Sequence, residues 1–214
     1  MAPESGVGAA RASWVLASGS PQRRAILERL GLQFSVRVPE VVELDSGDPA
    51  SVTLENAGRK ARAVQIPGRG ERIIGCDTVV ALEGAIYGKP SDEAQARRTL
   101  LALSGSTHEV VSGLVVLYEG SGSASEPSAV AREGRTVVQE RTAVARTEVT
   151  FAELDGARLD WYVGTGEWRG RAGGYAIQGA GAALVRSVGG DYENVVGLPL
   201  ASLLELCPEL LPGG

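Results

Sequence analysis

The sequence predicts an α/β fold with a mixed sheet, on three observations. Short β-branched apolar runs mix with segments of helical character, Ser-Pro and Asp-Pro pairs mark helix starts, and neither strict βαβ alternation nor an internal repeat is present. The 214 residues suffice for one large domain or two small lobes. Folding a chain of this size removes about 70% of its unfolded surface, enough for a core without metal or disulfide staples.

Each element follows from local signals. Residues 13–17 read as a short buried strand. Ser20 then caps a helix with Pro21 at its first position, running to about Leu30 and closed by Gly31 in the left-handed conformation. Residues 33–38 are extended, and Asp48-Pro49 opens a second helix that carries Glu55, Asn56 and Lys60 and fades before Pro67. A strand over 72–76 is interrupted by Asp77 before a second β-rich run over 78–82. Glu83-Gly84 is a tight turn, and Gly88-Lys89-Pro90 leads into a helix over about 91–103. Residues 108–118 are β-branched and apolar. Residues 119–134, rich in Ser, Gly, Ala and Glu, are expected to be a mobile hairpin tip or insertion. A half-solvated strand over 143–151, a helix over 154–163 and a Gly-rich loop over 167–174 come next. Two short strands around Gly179-Ala180-Gly181 and a closing helix over 199–206 complete the chain, and residues 1–12 are expected to be a flexible tail.

The net charge of -5 has the wrong sign for holding an extended nucleic acid. A local cationic pocket for a small phosphate group remains open, because net charge describes the far field and not a cleft. Cys76 and Cys207 offer neither metal spacing nor a framework of bridges, which suits a reducing compartment and predicts the cytoplasm. No apolar run approaches the length that crosses a bilayer, and residues 1–12 lack the apolar core of a signal peptide, so no membrane partner is expected.

Among residues that could carry chemistry, Asp77 stands out as a carboxylate in an otherwise apolar stretch, where an unpaired charge would cost several kcal/mol on the order-of-magnitude scale for buried ions. It is either a strand-end aspartate satisfied by backbone N–H groups or a metal ligand or general base. Ser18 to Arg24 joins a strand to a helix N-terminus, where backbone N–H groups and Arg23 can grip phosphate, although the spacing is not that of a P-loop. Lys60 and Lys89 are point charges suited to phosphate oxygens, and Glu43 with Asp77 could bind a hard divalent ion. His108, the one histidine, is expected to be structural or a substrate neighbour, and Cys76 inert packing.

Taken together these segments resemble the Maf family of nucleotide pyrophosphatases. The resemblance rests on Leu16-Ala17-Ser18-Gly19-Ser20-Pro21 with Arg23, the stretch around Lys60, Gly75-Cys76-Asp77-Thr78-Val79-Val80, Gly88-Lys89-Pro90, and Leu103-Ser104-Gly105 with His108. In the second half it rests on Gly166-Glu167, the stretch from Arg171 to Gly179, and the stretch from Gly190 to Pro199. It implies an elongated, twisted mixed sheet with flanking helices, two lobes around a central cleft within residues 13–214, and a homodimer. It implies hydrolysis of nucleoside triphosphates to the monophosphate and pyrophosphate with a divalent ion, Mg or Mn. Asp77 matches the family's proton acceptor, and Ser18, Arg23, Glu43, Lys60 and Lys89 match polar groups around the phosphates and metal. Thr78 and Gln178 fit the dTTP/UTP branch, whereas Gln22 stands where that branch has Arg. The alternatives are a nucleotide-binding regulator of cell division with little turnover, or a pyrophosphatase acting on 7-methyl-GTP or ITP.

Overall fold

The computed structural model describes residues 13–64, 70–120 and 137–211. Seven strands form one mixed sheet: β1 (Ser13–Leu16), β2 (Phe34–Val36), β3 (Glu71–Leu82), β4 (Ala85–Tyr87), β5 (Thr107–Gly120), β6 (Val137–Phe151) and β7 (Val185–Gly189). The order is β2-β1-β3-β5-β6-β7, with β4 paired to β3. β1 is parallel to both β2 and β3, and the remaining pairings are antiparallel. Among the described residues six α-helices flank the sheet: α1 (Pro21–Arg29), α2 (Pro49–Ala63), α3 (Glu93–Leu103), α4 (Gly156–Thr165), α5 (Tyr192–Val196) and α6 (Leu200–Leu206).

The helix starts follow the capping chemistry. Ser20, Asp48, Asp92 and Asp155 each accept a bond from the backbone N–H three residues on, and Pro21 and Pro49 fill first-turn positions whose N–H would have no helical partner. At the β3–β4 turn Glu83 and Gly84 have φ of 51° and 80°, the two left-handed positions that a two-residue hairpin with native twist requires.

Two expectations are corrected. Asp77 does not separate two strands, because β3 runs unbroken from Glu71 to Leu82 with Asp77 opposite Gly113 of β5. Its charge is balanced sideways by groups on α2, so the ladder need not stop. The second correction concerns residues 175–188, where only Val185–Gly189 is a strand and Ala180–Leu184 is a 3-10 turn. The Glu167 carboxylate accepts the backbone N–H groups of Ala180 at 3.0 Å and Gly181 at 2.8 Å, taking donors that a strand partner would have used. The expected tail over 1–12 and most of the insertion over 119–134 lie outside the described residues, although the pairing of β5 with β6 continues to Gly120 opposite Val137. No helix among the described residues is long and apolar enough to cross a membrane.

The core divides along the sheet. On one face α2 covers Val15, Ile73 and Val115. On the other, α1 and α6 pack on Leu16, Ile74 and Leu114, while α3 and α4 pack on Val80, Val110 and Phe151 farther along the same long strands. The cleft described below opens between these last two clusters.

His108 belongs to the core. It is 1% exposed, packs edge-on against Phe151 and Tyr175, and its Nε2 lies 3.0 Å from the Tyr175 hydroxyl. Among the described residues its Nδ1 has no hydrogen-bond partner. Desolvation pushes its pKa down to about 4 from 6.5. The unfolded chain therefore takes up this proton first as pH falls. The histidine contributes no penalty above about pH 6.5, costs about 1.4 kcal/mol per pH unit below that, and levels off below about pH 4. Urea unfolding at pH 7 and pH 5 should show wild type losing about 2 kcal/mol more than His108→Leu; equal losses would rule out His108 as the source.

Candidate active site

Where β1 ends, β3 loses a neighbour. Its register with β1 stops at Ile74 and its register with β4 starts at Val80, so over residues 75–79 the only described strand beside it is β5. Asp77 and Thr78 occupy that uncovered stretch, their side chains on opposite faces of the strand.

On the Asp77 face, α2 lies unusually close to the sheet. A Cβ at Gly75 would stand 2.8 Å from Ala61 Cβ and clash with the Ala57 carbonyl, and one at Gly113 would clash with the Thr53 backbone. The two glycines let the helix down until Lys60 Nζ reaches Asp77 Oδ1 at 2.6 Å and Asn56 Nδ2 donates to Asp77 Oδ2 at 3.0 Å. Lys60 Nζ also meets Glu43 Oε1 at 2.9 Å, so the two carboxylates converge on one ammonium. Asp77 and Lys60 are both buried, whereas the Glu43 side chain is 43% exposed.

On the Thr78 face the organiser is Arg23, which is buried and held on three sides. Nε donates to the Gly197 carbonyl at 2.8 Å, Nη1 to Ser18 Oγ at 3.0 Å and Nη2 to Thr78 Oγ1 at 3.2 Å. Of five N–H groups three are thus committed, leaving one on each terminal nitrogen, a fork that matches two oxygens of a phosphate. Thr78 Oγ1 also lies 2.8 Å from Ser112 Oγ. Cys76, next to Asp77, is fully buried, and desolvation pushes its thiol up, in keeping with inert packing.

A cleft of about 480 Å³ joins these groups. Ser18, Gln22, Arg23, Glu43, Lys60, Thr78, Lys89 and Gln178 all line it, so eight of the nine residues singled out in the sequence share one wall system. The ninth, Asp77, is buried directly behind Lys60. His108 does not line the cleft; its partner Tyr175 does. Sequence reasoning missed four contributors. Arg169 and Arg171 line the cleft from the Gly-rich loop, Asn56 holds Asp77, and Ser112 holds Thr78. The arginines were legible only as a cationic pair within a glycine-rich run, and Asn56 only by its place one turn before Lys60. Among the described residues no three His, Cys, Asp or Glu side chains gather about a point.

Arg23→Met should cost more than a charge. It leaves the buried Gly197 carbonyl, Ser18 hydroxyl and Thr78 hydroxyl short of a donor, at about 1–3 kcal/mol for such a group, and removes the phosphate fork. We expect a lower unfolding temperature and, by isothermal titration, weaker binding of inorganic pyrophosphate, since hydrogen bonds to a charged group contribute about 1.5–3 kcal/mol. Unchanged pyrophosphate binding would show that the fork grips nothing.

A family model described as Maf-like protein matches residues 13–210. A dTTP/UTP pyrophosphatase of Anaeromyxobacter dehalogenans (strain 2CP-C) is 45% identical over 194 residues, covering 90% of this chain and 91% of the relative. Proteins of the same name from Deinococcus radiodurans, 42% identical over 193 residues, and Pyrococcus furiosus, 39% identical over 196, cover 90% of this chain and 90% and 92% of their own lengths.

Proposed function

The chain belongs to the Maf-like protein family, and we propose that it hydrolyses nucleoside triphosphates, UTP and dTTP foremost, to the monophosphate and pyrophosphate. One observation carries this reading. Arg23, Lys89, Arg169 and Arg171 all face one cleft, and among the described residues none of them is paired with a carboxylate, in a chain whose net charge is -5. Uncompensated cations gathered in a concave site suit a compact polyanion. The names of the relatives supply the substrate class.

A divalent cation, Mg or Mn, fits the acidic pair. Glu43 and Asp77 are hard oxygen donors that already share one positive charge, the Lys60 ammonium, and are the residues that would hold such an ion. When bound, the ion would neutralise phosphate charge and make the α-phosphorus more electrophilic. Asp77 orients or deprotonates the attacking water, with Lys60 and Asn56 fixing both of its oxygens. The Arg23 fork, Lys60 and Lys89 balance the charge that grows on the departing pyrophosphate. Gln178 pairs its amide with a pyrimidine edge that offers both a donor and an acceptor. Gln22 stands nearby with its carbonyl oxygen accepting from the Ser20 hydroxyl at 3.1 Å, which turns its two N–H donors outward. We place the enzyme in the cytoplasm, where its two buried free cysteines stay reduced, and take the homodimer from the family resemblance.

The test is a nucleotide panel of UTP, dTTP, CTP, 7-methyl-GTP and ITP with Mg, following monophosphate and pyrophosphate together. Preferential release from UTP and dTTP is expected. No pyrophosphate from any nucleotide would overturn the enzymatic reading, and equal efficiency on all five would overturn the pyrimidine preference.

A further inference from the structure

Glu43 lies in a stretch, residues 37–47, that has no helix or strand of its own, yet its carboxylate must meet one presented by the rigid strand β3. A loop of this kind samples many positions unless its backbone groups are tied down. Three residues on one face of α2, at spacings of three and one, provide those ties. Arg59 Nη1 donates to the Val42 carbonyl at 3.0 Å, Lys60 Nζ meets the Glu43 carboxylate, and Asn56 bonds the backbone of Leu44 twice.

Asn56 differs from the other two in what it joins. Its Oδ1 accepts from the Leu44 N–H at 2.8 Å, while its Nδ2 donates to the Leu44 carbonyl at 2.9 Å and to Asp77 Oδ2 at 3.0 Å. Both amide protons are therefore used, and the side chain is 1% exposed. Its amide must face this way round, because the reverse orientation would set its oxygen against both the Leu44 carbonyl and the Asp77 carboxylate. The same amide fixes the backbone beside Glu43 and one oxygen of Asp77.

We propose that Asn56 is a positioning residue that sets the spacing of the Glu43 and Asp77 carboxylates, so that both present an oxygen to one cation. It does not line the cleft and acts through the Leu44 backbone and Asp77. Lys60 balances the charge of the acidic pair, and Asn56 fixes its geometry. This rests on the reading of Glu43 and Asp77 as the metal-holding pair. Loss of an outer partner of this kind costs about 10–100-fold in metal affinity or activity.

The experiment compares wild type, Asn56→Leu, Asn56→Ser and Asp77→Asn by Mn(II) binding in the absence of nucleotide, followed by electron paramagnetic resonance of the free ion, and by steady-state kinetics with UTP. Asn56→Leu keeps the branched shape and the number of side-chain heavy atoms, with bulkier methyls, and removes all three bonds. We expect it to weaken Mn(II) binding by about 10-fold or more and to lower kcat by about 10–100-fold, with KM for UTP changed less than about threefold, because the phosphate-facing cations are untouched. A variant that merely loosened the fold would raise KM as well. Asn56→Ser, in which a hydroxyl and a water can remake part of the network, is expected to fall between wild type and Asn56→Leu, and it carries the test if the leucine variant does not fold. Wild-type Mn(II) affinity and kcat in both folded variants would overturn the role of Asn56. Failure of wild type itself to bind Mn(II), or binding undiminished in Asp77→Asn, would instead overturn the metal-holding pair.

Discussion

Asp77→Asn is expected to lower kcat for UTP by about three powers of ten while the protein stays folded. A positioned base contributes about 10²–10⁴ to such a step, and here the same side chain would also hold the ion, so the upper part of that range applies. Asparagine has nearly the same volume, and its carbonyl can still accept from Lys60 Nζ, which at present lies 2.6 Å from Asp77 Oδ1, while its NH2 group then faces the Asn56 Nδ2 donor and that one bond is lost. Removing one partner of a buried pair costs about 3–5 kcal/mol when the other is left bare. Lys60 is not left bare, because Glu43 lies 2.9 Å away on the more exposed side. The stability loss should therefore fall below that range, and circular dichroism with thermal unfolding would register a folded variant. Turnover above about a tenth of wild type in that folded sample would remove Asp77 from the base role.

The residues themselves explain what was legible and what was not. Helix starts at Ser20 and Asp48 were readable because capping is local, a side-chain oxygen meeting an N–H three residues on. Asp77 was readable as an anomaly, a charge among apolar neighbours, but its surroundings were not. The groups that let it sit inside a continuous strand, Lys60 and Asn56, lie 17 and 21 residues earlier in the chain. An isolated strand pattern carries no information about a helix packed on it. The same holds at residues 180–184, where the Glu167 carboxylate, thirteen positions before Ala180, decides the local conformation. Arg169 and Arg171 lie in the expected glycine-rich loop, and only the folded chain turns that loop toward the cleft. Thr78 shows a further limit. The family resemblance offered it as a substrate contact, and in the structure its hydroxyl is already engaged by Arg23 and Ser112.

Gly75→Ala should be among the most damaging single-methyl changes at the described residues. Gly75 is on β3, two residues before Asp77, and α2 crosses directly over it, so the new methyl would be driven into the Ala57 carbonyl and lie 2.8 Å from Ala61 Cβ. Neither obstacle is the free end of a flexible side chain. Ala57 is backbone of a fifteen-residue helix, and Ala61 is fully buried. The helix must therefore lift as a body, at about 3 kcal/mol, the upper end of ordinary overpacking costs. For a chain of this size that corresponds to a fall in unfolding temperature of about 6–12 °C. A second consequence follows from what α2 carries. Lys60 and Asn56 ride on the same helix, within one turn of Ala57 and Ala61, and their bonds to Asp77 are 2.6 and 3.0 Å long. A lift of even half an ångström lengthens both, so kcat should fall by about 10-fold or more even at temperatures where the variant is fully folded. Gly113→Ala, which meets the same helix at Thr53 from the neighbouring strand, is expected to reproduce both effects. Differential scanning calorimetry and UTP turnover on the two variants test this directly. Wild-type unfolding temperatures in both would mean that α2 does not depend on the missing side chains. A lowered unfolding temperature with unchanged kcat would mean that the Asp77 site does not depend on how closely the helix sits.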